Sequence, residues 1–238
     1  MITELFKSLV KQTTPNGFEY LLYDCIPNAR KDEYGNRFVI VGDGPHTHLF
    51  TCHLDTYPLT QKSEEITIIE DGDIIRTDGK TLLGADDKAG VTVLLAMIKG
   101  GVQGIYGFFL AEEVGLLGSH FAANDTKWKE LMKDVKAVIS FDRRGTSSII
   151  THQGGKKTCS QKYAKLIQKG FAKQEILLEL DDTGSATDSL SFHKCNRTLQ
   201  CTNISVGYYN AHSVLEYQDI AYLERLCSAA VHVDWPIP

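Results

Sequence analysis

The stretch HLFTCHLD, residues 48–55, is an apolar run that ends in an imidazole, His53, and a carboxylate, Asp55. In an extended strand, residues two apart share a face. Asp55 can therefore accept a hydrogen bond from the His53 imidazole and fix its tautomer. The same ending recurs outward along the chain. GIYGFFLAEE (104–113) runs into Glu112 and Glu113, KAVISFD (136–142) into Asp142, and LQCTNISVGYYNAHS (199–213) carries His212 just past its apolar part. GADDKAG (84–90) brings the adjacent Asp86 and Asp87 to the start of a helical run, KAGVTVLLAMIKGG (88–101). Strands alternating with helices predict an α/β fold: three α/β/α layers around a mixed, mainly parallel central sheet. In such sheets ligands gather beyond the carboxyl ends of the strands, and the five polar clusters fall on that edge.

Other segments fit the same plan. RFVIVG (37–42) reads as a strand, and EITIIEDGDIIRTDG (65–79) as a hairpin turning at Asp71-Gly72. CSQKYAKLIQKGFAK (159–173) has helical periodicity, and DIAYLERLCSAAVHVD (219–234) reads as a helix capped by Asp219. MITELFKSLVKQ (1–12) is an amphipathic helix pattern with Ile2, Leu5, Phe6 and Leu9 on one side.

With 238 residues and no Pro/Gly/Ser linker or repeat, the chain reads as a single domain over residues 1–238. A net charge of −5 argues against nucleic acid or an anionic membrane as partner. No apolar run reaches the roughly 20 residues of a membrane helix. The N-terminal segment lacks the basic and apolar regions of a signal peptide, which points to a cytoplasmic protein. The six cysteines (25, 52, 159, 195, 201 and 227) form no CxxC and read as reduced and structural; Cys195 and Cys201 are not read as a disulfide.

Taken singly, each cluster has an ordinary reading: a strand histidine, acids favoured by a helix dipole, a solvated loop, a strand exit. Five on one edge, two histidines among acids, form a metal cluster. Imidazole and carboxylate without thiolate suit zinc, with cobalt or manganese as substitutes. Two ions about 3.5–4 Å apart need a shared carboxylate, and either Asp86 or Asp87 can supply it. Glu112 and Glu113, as neighbours on a strand end, face opposite ways, leaving one to bind metal and the other to move a proton.

HLDT, GADDKAG, AEEVG, SFD and AHSxxE, in this order from residue 53 to 216, resemble the co-catalytic zinc exopeptidases: peptidase T, glutamyl aminopeptidases and compact bacterial aminopeptidases. TDGKTLLGADDKAG (77–90) is most similar to peptidase T, and AHSVLEYQDI (211–220) to the HSxxE segment of this superfamily. The resemblance implies a zinc-exopeptidase (phosphorylase/hydrolase-like) fold and a di-zinc metallopeptidase. It makes Asp86 the bridge, His53 and Asp142 the remaining ligands of one ion, and Glu113 and His212 those of the other. Glu112 becomes the general base acting on a water that bridges two zinc ions, Asp55 the partner of His53, and Asp87 a supporting residue. The expected substrate is a peptide cleaved from its amino end. The same core would serve an amidohydrolase or carboxypeptidase on N-acyl amino acids, and a non-catalytic metal-stabilised binding module is the reading from outside enzymology. Oligomeric state and side-chain preference are not readable.

The chain departs from peptidase T in one respect. The interval from Asp142 to His212 holds one helix, one strand and the loop GSATDSLSF, and that from Asp55 to Asp86 only the hairpin. Both leave no room for an inserted lid or dimerisation domain. Arg143 and Arg144 are candidates for binding a substrate carboxylate or steadying Glu113, and Asp188 for lining the pocket. His152, His193, Tyr208 and Tyr209 read as core or surface residues near it, and His46, His48, His120 and His232 as structural.

Overall fold

Strand alternation and helix periodicity translate into layers in the computed structural model, which describes residues 2–238. Met1 lies outside the described residues. The chain opens with helix α1 (Ile2–Leu9), burying Phe6 and Leu9, and a short 3-10 turn over Glu19–Cys25. Strands β1 (Arg30–Lys31), β2 (Arg37–Val41) and β3 (His48–His53) follow, then the hairpin β4 (Ile68–Asp71) and β5 (Ile74–Thr77). Helix α2 (Ala85–Lys99) leads to β6 (Gly104–Phe109), α3 (Leu117–Asn124), α4 (Thr126–Leu131) and β7 (Ala137–Arg143). Next come β8 (Ser148–Ile150), β9 (His152–Gln153), β10 (Lys156–Lys157), α5 (Gln161–Ala172), β11 (Glu179–Asp181) and α6 (Asp188–Cys195). The chain closes with β12 (Gln200–Ser205), β13 (Tyr208–Tyr209), β14 (Tyr217–Asp219) and α7 (Ile220–His232).

Eight strands form the central sheet in the order β1-β2-β6-β3-β7-β12-β8-β11. Its four middle strands, β6, β3, β7 and β12, are parallel, and β2 and β8 join them antiparallel on either side. The sheet is thus mixed and mainly parallel, as the sequence predicts. Alternate residues divide its faces. Phe50, Tyr106, Ile139 and Phe141 pack with α1, α2, α5 and α7. Leu49, Ile105, Phe109, Val138 and Cys201 pack with Ala122, Trp128 and Phe192 of α3, α4 and α6. Each such large side chain withdrawn from water contributes about 1.5–3 kcal/mol.

Helix α2 is buried on nearly every side, which its apolar sequence requires. Gly90 permits its close seat on the sheet: a Cβ there would lie 2.0 Å from the Phe141 carbonyl oxygen. Regular helix begins only after Asp86 and Asp87, whose backbone is non-helical and joined by a cis peptide.

Three expectations change. The hairpin turns on Gly72 and Asp73, with Asp71 opposite Ile74 and Gly72 at φ 60°, one residue later than predicted. It lies outside the main sheet, in a four-stranded sheet ordered β13-β14-β5-β4. The interval from Asp142 to His212 also holds more than one helix and one strand: it contains α5, α6 and strands β8 to β13, and GSATDSLSF passes directly into α6. Among the described residues no helix is long and apolar enough to cross a membrane.

Candidate active site

The carboxyl ends of β6, β3, β7 and β12 point to one edge, where the loop before α2 arrives. In that loop Glu216 accepts hydrogen bonds from the backbone N–H groups of Gly84, at 2.7 Å, and Asp86, at 2.9 Å. Asp87 turns inward and is fully buried. Its Oδ2 accepts the His53 N–H and its Oδ1 the Gly90 N–H, both at 3.1 Å, so it ties the helix start to β3. Asp86 faces outward and offers both oxygens to imidazoles: Oδ1 lies 3.2 Å from His53 Nε2 and Oδ2 3.4 Å from His212 Nε2.

Each imidazole meets a further carboxylate. His53 Nε2 is 3.6 Å from Asp142 Oδ1, and His212 Nε2 is 2.9 Å from Glu113 Oε1. Asp86 therefore stands between two three-residue sets, His53–Asp86–Asp142 and His212–Asp86–Glu113. Donor atoms of His53, Glu112 and Glu113 also converge within 4.8 Å, as do those of His53, Asp87 and Asp142. Asp87 differs in that both its oxygens already hold backbone N–H groups.

Glu112 and Glu113 do not sit on a strand end. Strand β6 stops at Phe109, and both acids lie in a turn entered through Ala111 at φ 57°. Asp55 organises that turn: its Oδ1 accepts the Glu112 N–H at 2.9 Å and its Oδ2 the Glu113 N–H at 3.0 Å. The nearest partner of His53 Nδ1 is accordingly the Asp55 carbonyl oxygen, at 2.9 Å, with the carboxylate 3.4 Å away. Asn36 closes the base of the turn, accepting the Leu110 N–H through Oδ1 and donating through Nδ2 to the Gly118 carbonyl.

A carbonyl oxygen only accepts, so His53 Nδ1 carries the proton and the Nε2 lone pair faces Asp86 and Asp142. Lone pair against carboxylates is repulsive unless a cation lies between them. Either a metal ion or a proton can fill that role. Burial alone would pull the His53 imidazole down, but Asp142, Asp55 and Asp86 hold it well above its ordinary value. Asp86 is held down by His212 and His53 against its burial, and His212 is raised to about 10 by Asp86 and Glu113. Burial pushes Glu112 up, aided by Asp142, Asp188 and Glu113 and opposed by His53. The donor set, nitrogen and oxygen without sulfur, fits divalent ions of the zinc, cobalt and manganese group.

The sequence profile of peptidase family M28 matches residues 39–213. The chain belongs to peptidase family M28. This M28 chain is accordingly a hydrolase, a metal-dependent peptidase. Its fold is similar to that of the aminopeptidase PepT from Bacillus cereus, at 15% identity and a TM-score of 0.79, over 97% of this chain and 97% of that one. A tripeptidase from Staphylococcus aureus gives 14% identity and a TM-score of 0.77, over 98% and 97%. The TET1 peptidase of Pyrococcus horikoshii, described as able to assemble into a tetrahedron or a large octahedral shell, gives 18% and 0.72, over 98% and 100%. No curated protein matches the sequence.

Among other residues of this M28 peptidase, Arg143 falls differently from expectation, while His152, His193, Tyr209 and the cysteines fall as read from the sequence. Arg143 turns away from Glu113; its guanidinium pairs with Asp181 at 3.1 Å and donates to the Thr183 hydroxyl at 3.0 Å. Arg144 is exposed. Asp188 is 1% exposed, and burial raises its carboxyl to about 7. His193 is buried against the Leu199 carbonyl, His152 contacts the Thr151 hydroxyl, and Tyr209 stacks on Tyr217. All six cysteines are free thiols.

Several supporting residues escaped sequence reasoning. Thr187 donates to Asp142 Oδ2, the Tyr208 hydroxyl to the Asp142 carbonyl, and Asn203 holds both the N–H and the C=O of Asp142. Tyr57 stacks on the His212 ring, with centroids 4.2 Å apart and planes 11° from parallel. Asn203, in the middle of a strand of the central sheet, was a usable signal; Tyr57 and Thr187 offered none.

Proposed function

We propose that the chain is an aminopeptidase that uses two divalent ions, most readily zinc, held by His53, Asp86, Asp142, Glu113 and His212. One observation carries this reading: the two oxygens of Asp86 each face an imidazole that has its own second carboxylate. Bound there, the ions would supply Lewis-acid charge for the scissile carbonyl and lower the pKa of the attacking water. Every other step belongs to side chains. The backbone carbonyl of Asp55 fixes the tautomer of His53, and its carboxylate fixes the turn of Glu112. Burial beside Asp142, Asp188 and Glu113 raises the Glu112 carboxyl, which suits it to accept the proton of the attacking water. The same carboxyl then returns that proton to the departing amine nitrogen. Thr187 and Tyr208 hold Asp142 so that one of its oxygens faces His53.

Engagement of Arg143 by Asp181 removes one of two guanidinium groups that could have anchored a substrate carboxylate. That favours a free amino terminus over an N-acyl amino acid as the recognised group, with Arg144 alone left for the alternative. We also read residues 1–238 as one catalytic domain with no inserted lid, so substrate contacts come from loops at the sheet edge. The test is a panel of aminoacyl arylamides, short peptides and N-acetylated amino acids with added zinc, cobalt or manganese. Hydrolysis of substrates with a free amine is expected. Turnover of the acetylated set alone would replace this reading with a deacylase.

A further inference from the structure

Glu216 lies four residues after His212 and is 2% exposed. Both of its carboxylate oxygens are spent on backbone N–H groups of the loop that carries Asp86: Oε2 on Gly84 at 2.7 Å and Oε1 on Asp86 itself at 2.9 Å. Gly84 is at φ 68°, and a Cβ on it would lie 2.6 Å from Thr56 and 3.2 Å from Lys88 Nζ. The loop therefore has little room to settle elsewhere. Lys88, 1% exposed, donates to the Gln12 carbonyl at 2.6 Å and places its ammonium in this same interior as the positive neighbour of Glu216.

We infer that Glu216 is the positioning residue for the bridging carboxylate, and that it makes the two halves of the metal cluster a single unit. This rests on the ligand reading proposed above. A chain segment that merely supplied His212 would serve one ion. The segment from His212 to Glu216 serves both, giving an imidazole to one ion and fixing the backbone of Asp86, whose two oxygens face both sets. Two backbone hydrogen bonds to a buried carboxylate are charge-assisted and directional. They define where the Asp86 Cα sits and hence the reach of its carboxylate.

The experiment measures metal affinity, by chelator competition, and the visible spectrum of the cobalt-loaded protein. It compares wild type, His212→Ala and Glu216→Gln. Glutamine keeps the shape but turns an NH2 toward one of the two N–H donors. His212→Ala is expected to weaken one ion of the pair, whereas Glu216→Gln weakens both by about 10- to 100-fold, the usual effect of losing an outer contact to a ligand. The cobalt spectrum of Glu216→Gln should change although every ligand side chain is present. Weakening of a single ion in Glu216→Gln, or unchanged affinity and spectrum, overturns the inference. Asp86→Ala separates the two layers of argument. If it leaves metal binding intact, the ligand reading itself fails; if it abolishes binding while Glu216→Gln has no effect, only the role of Glu216 fails. Should the glutamine variant not fold, Glu216→Asp keeps the charge, withdraws it by one methylene and is read by the same criteria.

Discussion

Asp55→Asn tests whether the turn bearing Glu112 is held from outside. Asp55 is 1% exposed, and its two oxygens accept the Glu112 and Glu113 N–H groups at 2.9 and 3.0 Å. Hydrogen bonds to a charged group contribute about 1.5–3 kcal/mol each. Asparagine retains one carbonyl oxygen and presents an NH2 to the other backbone N–H, so one such bond is lost and two donors face each other. The unfolding free energy of the metal-free protein should fall by about 1.5–3 kcal/mol, read from urea denaturation. If the turn must be ordered for Glu112 to take its proton, kcat falls by about 10- to 150-fold at 1.4 kcal/mol per decade, with a smaller change in KM. A variant with kcat within about threefold of wild type and an unshifted urea midpoint would refute the view that Asp55 organises this turn.

Glu112→Gln should retain the wild-type metal content by elemental analysis while kcat drops by about 10²- to 10⁴-fold; near-normal turnover would remove Glu112 as the base. Arg143→Ala should cost about 1–3 kcal/mol of stability through the loss of its partly buried pair with Asp181. A rise in KM confined to carboxylate-bearing substrates would instead restore the anchor role. Buried His48, held between Tyr163 and the Pro236 carbonyl, has its pKa lowered by burial from 6.5. Its neutral form is the folded form, so its contribution is complete above about pH 6.5 and shrinks as pH falls toward the folded-state value. His48→Gln should flatten that part of the stability profile, and parallel wild-type and variant curves between pH 7.5 and 5 would contradict it.

The sheet and the acid-bearing strand ends were legible because a central parallel strand buries both faces and reads as an unbroken apolar run. Where that run stops, a carboxylate or an imidazole is conspicuous: Asp142 and His53 announce themselves this way. The turn after β6 was not legible. Extending the strand to Glu113 is the natural reading of GIYGFFLAEE, but the direction of these two acids is dictated by a carboxylate 57 or 58 residues away. Arg143 was misread for a similar reason, since its partner Asp181 comes from β11 at the far edge of the sheet. Period-two alternation identified the β4–β5 hairpin but carries no information about which sheet it joins; that is decided by β14, which pairs with β5. Helix α6 was hidden because SATDSLSF has too few apolar residues to display a face, although tertiary packing against α3 and the sheet buries it.

The proposed ligand cluster has a closed back and an open front. Side chains of His53, Asp86, Asp142 and Glu113 are 1%, 10%, 9% and 6% exposed, whereas that of His212 is 43% exposed, shielded on one face by the Tyr57 ring. An ion held on the proposed His212 side would be able to shed or gain a ligand as that half-exposed ring swings into solvent, whereas one on the His53 side would have no such gate. Exchange with the medium would then be ordered in time. Dialysis against a chelator should pass through a species that has lost the His212-side ion first, and reloading should fill the inner position before the outer one.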